Sequence, residues 1–121
     1  MQEKWSDPTL LKSFPNICQL HTHTIETEEL SFYGFPNQPD FAKIIIEIIP
    51  DTKAVELKSV KEYLLQFRVK HISYERILQV VFTDFIDVYK PKYLKITLET
   101  KPRGGIQSKL EREFGYKNEI L

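Results

Sequence analysis

The run FAKIIIEII, residues 41 to 49, constrains this chain more than any other stretch. It sits between Pro39-Asp40 and Pro50-Asp51, and its apolar residues alternate, with Ala42, Ile44, Ile46 and Ile48 on one face and Lys43, Ile45 and Glu47 on the other. It is far shorter than the roughly 20 residues a helix needs to cross a bilayer. The pattern predicts a strand with one fully apolar face, and a chain carrying such a strand must bring other elements to cover it.

Two helices are expected to do so. In ELKSVKEYLLQFR, residues 56 to 68, Leu57, Val60, Leu64 and Phe67 recur at spacings of three and four, with Lys58, Lys61, Glu62 and Gln66 largely off that stripe. The second helix is predicted to start at Ser73, a good N-cap, with Glu75 in the first turn where the helix dipole favours an acid. Its apolar face carries Ile77, Val81, Phe85 and Val88, and it stops at Lys90-Pro91. Residues 17 to 26, ICQLHTHTIE, read as another strand, with Ile17, His21, His23 and Ile25 opposite Cys18, Leu20, Thr22 and Thr24. YLKITLETK sets Leu94, Ile96 and Leu98 against Lys95, Thr97 and Glu99, and the turn KPRGGI leads into a fourth strand. The last segment, SKLEREFGYKNEIL, follows no single period. Strands and helices that segregate in this order predict an α+β structure, a four-stranded antiparallel sheet with both helices on one face. A chain of 121 residues suits one domain over 1–121, with 1–16 as a loose N-terminal arm. The open sheet edges call for a homo-oligomer.

Seventeen basic residues balance seventeen acidic ones, which argues against general polyanion binding and against attraction to a membrane surface. Neither nucleic acid nor membrane is an expected partner. The start, MQEKWSDPTLLKSF, has no apolar signal core, so a cytoplasmic protein is expected. The single cysteine, Cys18, fits a reducing compartment and excludes an intrachain disulfide.

Several residues invite chemistry, and each has a plain alternative. Asp40, at the mouth of the buried strand in SFYGFPNQPDF, is placed as a catalytic carboxylate or as part of an ordinary loop. His21 and His23 suit two ligands of a metal ion but have no clear third, so no metal is assigned. Cys18 is a thiol nucleophile or a small buried hydrophobe, and His71 a solvated loop side chain. Lys58, Lys61 and Arg68 form a charged outer helix face or hold phosphates. A lysine in a first helical turn opposes the dipole unless an anion compensates. Arg103, in KPRGGI, is a fork donor for phosphate on a turn whose glycines allow close backbone approach. Glu75, beside Tyr74, serves the helix dipole or accepts two hydrogen bonds from the amidine-like edge of a guanine or pterin.

Three segments in register carry a resemblance: QPDFA at 38 to 42, VELKSVKEYLLQFR at 55 to 68 and PRGGI at 102 to 106. Glu56, Leu57, Lys58, Ser59, Val60, Lys61, Tyr63, Phe67 and Arg68 fit the hallmark of the nitrile reductases of queuosine biosynthesis, the 7-cyano-7-deazaguanine reductase or QueF family, which this chain resembles. LLKSFPN looks like that family's N-terminal region, so the resemblance covers nearly the whole chain. It implies a tunnelling fold, β2α2β2 subunits whose sheets join into an oligomeric barrel with purine-type sites between subunits. It also implies NADPH as cofactor, reducing 7-cyano-7-deazaguanine to 7-aminomethyl-7-deazaguanine, with Lys58, Lys61, Arg68 and Arg103 as cofactor contacts. Glu75, Tyr74 and Glu56 take the substrate side, Glu75 as the base anchor and Tyr74 where the family has a histidine. Asp40 corresponds to the catalytic aspartate.

Family members hold the nitrile as a thioimide on a cysteine seven residues before that aspartate, and here that position is Tyr33. Matching Phe35-Pro36 to the family's Cys-Pro supplies no thiol either, because no cysteine follows Cys18. A phenol with a pKa of about 10 is a poor replacement. The reading is therefore a QueF-like protein that binds a purine or deazapurine between subunits. The alternatives are a nitrile reductase using Cys18, a metal-assisted purine or pterin hydrolase at His21 and His23, and a noncatalytic partner subunit.

Overall fold

The computed structural model describes residues 4–34, 38–102 and 104–120, with side chains to Asn118. Four strands form an antiparallel sheet in the order β2 (His23–Gly34), β3 (Gln38–Ile49), β5 (Tyr93–Thr100) and β6 (Lys109–Phe114). Helices α1 (Leu57–Leu65) and α2 (Tyr74–Tyr89) lie between β3 and β5 in the chain and cover one sheet face, the α+β arrangement expected. Ala42, Ile44, Ile46 and Ile48 of β3 and Leu94, Ile96 and Leu98 of β5 are buried against Val60, Tyr63, Phe67, Ile77, Val81 and Phe85. A short four-residue helix α3 (Lys117–Ile120) follows β6.

The strand expected over 17 to 26 instead begins at His23 and runs to Gly34. His23 pairs with Ile48 near the last residue of β3, so residues before it have no strand to pair with. Its second half escaped detection because the register shifts between Thr27 and Leu30. Glu28 and Glu29 together oppose Lys43 of β3, which puts Leu30 and Phe32 on the face already occupied by Ile25 and Thr27 and breaks the period of two. The stretch SFYGFPNQPDF is thus the end of a hairpin, with Ser31 paired to Phe41, Tyr33 to Pro39 and Gly34 to Gln38.

The described part of the N-terminal arm, residues 4–16, is not loose. Residues 13–15 form β1 (Ser13–Pro15), which pairs with β4 (Lys53–Val55), and Leu11 is buried in the core. Lys12 is held at both polar backbone atoms: its N–H donates to Ser59 Oγ at 2.9 Å, and its carbonyl accepts from Tyr89 Oη at 2.8 Å. On α1, Leu57 is 56% exposed rather than part of the core stripe, and Tyr63 takes an inward position instead. Tyr63 is admitted because its hydroxyl donates to Asp84, which also accepts from Ser6. Ser73 caps α2 as expected, accepting from Arg76 N at 3.2 Å, and Lys90 ends it in the left-handed region at φ 45°.

Candidate functional site

The end of the β2–β3 hairpin is docked on the segment between the helices. Tyr33 N donates to Lys70 O at 2.9 Å, and Ile72 N donates to Tyr33 O at 3.0 Å, a one-residue parallel bridge between Tyr33 and His71. The rings of Tyr33 and His71 stack at 5.1 Å with an 18° interplanar angle. One residue earlier, Phe32 meets Tyr74 edge to face at 5.0 Å. The hairpin end and the first turn of α2 therefore share one corner of the molecule. His71, read from sequence as a solvated loop side chain, is exposed but belongs to this contact.

Asp40 lies in the corner's floor, 5% exposed. It pairs with Phe32, and cross-strand partners project to the same side, so its carboxylate lies on the helix-covered face beside Phe32 and Gly34. Tyr33 pairs with Pro39 and projects to the opposite face. The phenol at the position where the resemblance calls for a cysteine is thus separated by the sheet from the aspartate. Phe35, the alternative position, lies outside the described residues, as does Arg103. Glu75 is exposed in the first turn of α2, next to the half-buried Tyr74.

Glu56 is engaged elsewhere. Its two carboxylate oxygens accept from Lys58 N at 3.1 Å and Ser59 N at 2.8 Å, which makes it the N-cap of α1 and offsets the lysine in that first turn. From there to the hairpin corner the chain runs the whole of α1, about 15 Å at 1.5 Å per residue. The structure of one chain therefore separates Glu56 from Glu75 and Tyr74. Lys58 and Lys61 are exposed on α1, and Arg68 is exposed on the 3-10 turn that follows it. Lys61 also borders a groove of about 270 Å³ between α1 and the edge of β2, lined by Ile25, Leu30, Leu57, Leu64 and Leu65.

Cys18 lies at the other end of the sheet. It is exposed, contrary to the buried hydrophobe expected, and its N–H donates to Asn16 Oδ1 at 3.2 Å. Asn16 N donates to Thr52 O at 2.9 Å, which ties this segment to the chain just beyond β3. From His23 to Phe32 the strand spans about 30 Å at 3.3 Å per residue, so one chain does not bring Cys18 to Asp40. His21 precedes β2, with Nδ1 3.0 Å from Gln19 O, while His23 begins the strand. Partial burial, with His21 beside it, holds the His23 imidazole below its ordinary pKa. Among the described residues no third His, Cys, Asp or Glu joins them in a group that could hold a metal ion. No helix among the described residues is long and apolar enough to cross a membrane.

Comparison with known proteins fits this layout. The family model described as QueF-like protein matches residues 39–119. The chain is 36% identical over 110 residues to an NADPH-dependent 7-cyano-7-deazaguanine reductase of Chloroherpeton thalassium, covering 88% of this chain and 95% of that protein. It is 34% identical over 107 residues to the enzyme of the same name from Prochlorococcus marinus, covering 88% and 76%. A crystal structure of the archaeosine synthase QueF-Like in the apo form superposes with a TM-score of 0.73 at 17% identity, over 78% of this chain and 94% of that one. That likeness is one of fold, the tunnelling-fold subunit with its sheet and two helices. Sequence and architecture together place this chain in the QueF-like family.

Proposed function

We propose that the protein binds 7-cyano-7-deazaguanine, or a closely related deazapurine, without a covalent bond, at the corner where the β2–β3 hairpin meets α2. The observation that carries this reading is the docking of Tyr33 on residues 70–72, which holds a buried carboxylate, Asp40, and an exposed one, Glu75, at one corner. Glu75 accepts two N–H donors from the amidine-like edge of the base, and Asp40 is the acid or polar contact beneath it. Glu75 stands exposed on a single chain, so a base held there needs a second wall, which a neighbouring copy supplies.

The relatives' NADPH dependence extends to this chain as a binding proposal. Lys58, Lys61 and Arg68 are in no ion pair among the described residues, so their charges are available to dinucleotide phosphates. Arg103 joins them on the strength of its turn. A bound nicotinamide dinucleotide would supply a hydride; these side chains only hold and orient it. Within one chain the thioimide route has no thiol at this corner, since Tyr33 is a phenol on the other sheet face and Cys18 lies at the far end of the sheet.

Calorimetric titration with 7-cyano-7-deazaguanine tests the reading. Glu75→Ala is expected to weaken binding about 100-fold, the loss of charge-assisted hydrogen bonds. No binding by the unaltered protein, or equal affinity in the variant, would overturn it.

A further inference from the structure

We propose that Gly34 is the positioning residue for Asp40, its missing side chain being the space in which the Asp40 carboxylate rests. An ideal Cβ built on Gly34 would stand 1.9 Å from Asp40 Oδ2 and 3.0 Å from Asp40 Cγ. No two such atoms approach so closely, so any other L-residue at 34 must expel the carboxylate from its present place. The register explains the encounter. Asp40 pairs with Phe32, and Gly34 follows Phe32 by two residues on the same face, so Asp40 leans diagonally across the hairpin into the gap.

The usual reason for glycine does not apply at this position. Gly104, Gly105 and Gly115 have positive φ, and Gly34 is not among them, so its backbone suits any residue. Glycine inside a strand weakens it through lost packing and added entropy in the unfolded chain, and an isolated one marks a close approach. What Gly34 contributes is empty volume, taken by the carboxylate of a residue only 5% exposed. A Cβ at position 34 overlaps Oδ2 and crowds Cγ, so Asp40 must turn about its side-chain bonds to clear it.

The consequence for ligand rests on the function proposed above, and the test separates the two. Gly34→Ala is compared in the unaltered protein and in Asp40→Ala, by urea unfolding and by calorimetry with 7-cyano-7-deazaguanine. Gly34→Ala is expected to lower the unfolding midpoint when Asp40 is present, and to leave it unchanged or raise it in Asp40→Ala, where the conflict is gone. Affinity is expected to fall at least tenfold in Gly34→Ala, to the level of Asp40→Ala, with no further fall in the double variant. The Asp40 carboxyl carbon resonance, which a general weakening of the strand does not move, is expected to shift in Gly34→Ala. Equal destabilisation in both backgrounds, with that resonance unmoved, would overturn the positioning role. Coupled stability with affinity unchanged in both single variants would instead keep Gly34 as Asp40's positioner and overturn the assignment of Asp40 to the base.

Discussion

At the scale of single residues, the same carboxylate can serve a ligand or its own backbone, and hydrogen-bond geometry decides. Glu56 fits a family hallmark from sequence, yet both of its oxygens are taken by the first turn of α1. Glu56→Ala is expected to cost about 1 kcal/mol of stability, as other lost caps do, while leaving affinity for 7-cyano-7-deazaguanine unchanged. Urea unfolding and calorimetry read the two quantities separately. Glu75 and its Ser73 cap were legible because an N-cap followed by an acid is a local pattern. The role of Glu56 was not, because a motif match does not say where the oxygens point. His23 gives a pH dependence. Its imidazole is held below the ordinary value of 6.5 by partial burial and by His21, so the unfolded chain takes up the proton first. Stability contributed by the neutral form is present above the unfolded pKa and is lost as pH falls through the folded one. Unfolding midpoints between pH 8 and pH 5 are expected to fall on the acid side, with a shallower fall in His23→Asn.

Elements were legible where a period ran unbroken. FAKIIIEII, YLKITLETK and the helix after Ser73 each keep one period to their ends, and the structure has them. The second half of β2 was hidden by the extra residue between Thr27 and Leu30, which exchanges the two faces partway along. On α1 the apolar stripe was placed slightly to one side, since hydrophobicity favoured Leu57 over Tyr63, whereas the structure buries Tyr63 and exposes Leu57. Burial and the neighbouring Asp84 carboxylate raise the Tyr63 phenol well above its ordinary range, so it remains a donor inside the core. The energetic consequence is specific. Leu57→Ser is expected to change stability by no more than about 0.5 kcal/mol. Phe67→Ala, at a fully buried position, is expected to cost about 3–5 kcal/mol in the same denaturant experiment.

For the whole molecule, element order was readable because strands and helices segregate, and that order fixes the sheet and the layer that covers it. Which residues meet was not readable. Tyr33 and Asp40 are seven apart in sequence yet face opposite sides of a sheet, while Phe32 and Tyr74, far apart in sequence, touch. The length of the β2–β3 ladder has the largest functional consequence, since it puts Asp40 near one end and the segment bearing Cys18 at the other. Intact mass of the protein after incubation with 7-cyano-7-deazaguanine, at a concentration where calorimetry shows the site filled, separates a noncovalent deazapurine site from a thioimide. Noncovalent binding leaves the mass of the unaltered chain. A gain of one ligand mass that disappears in Cys18→Ala would contradict it.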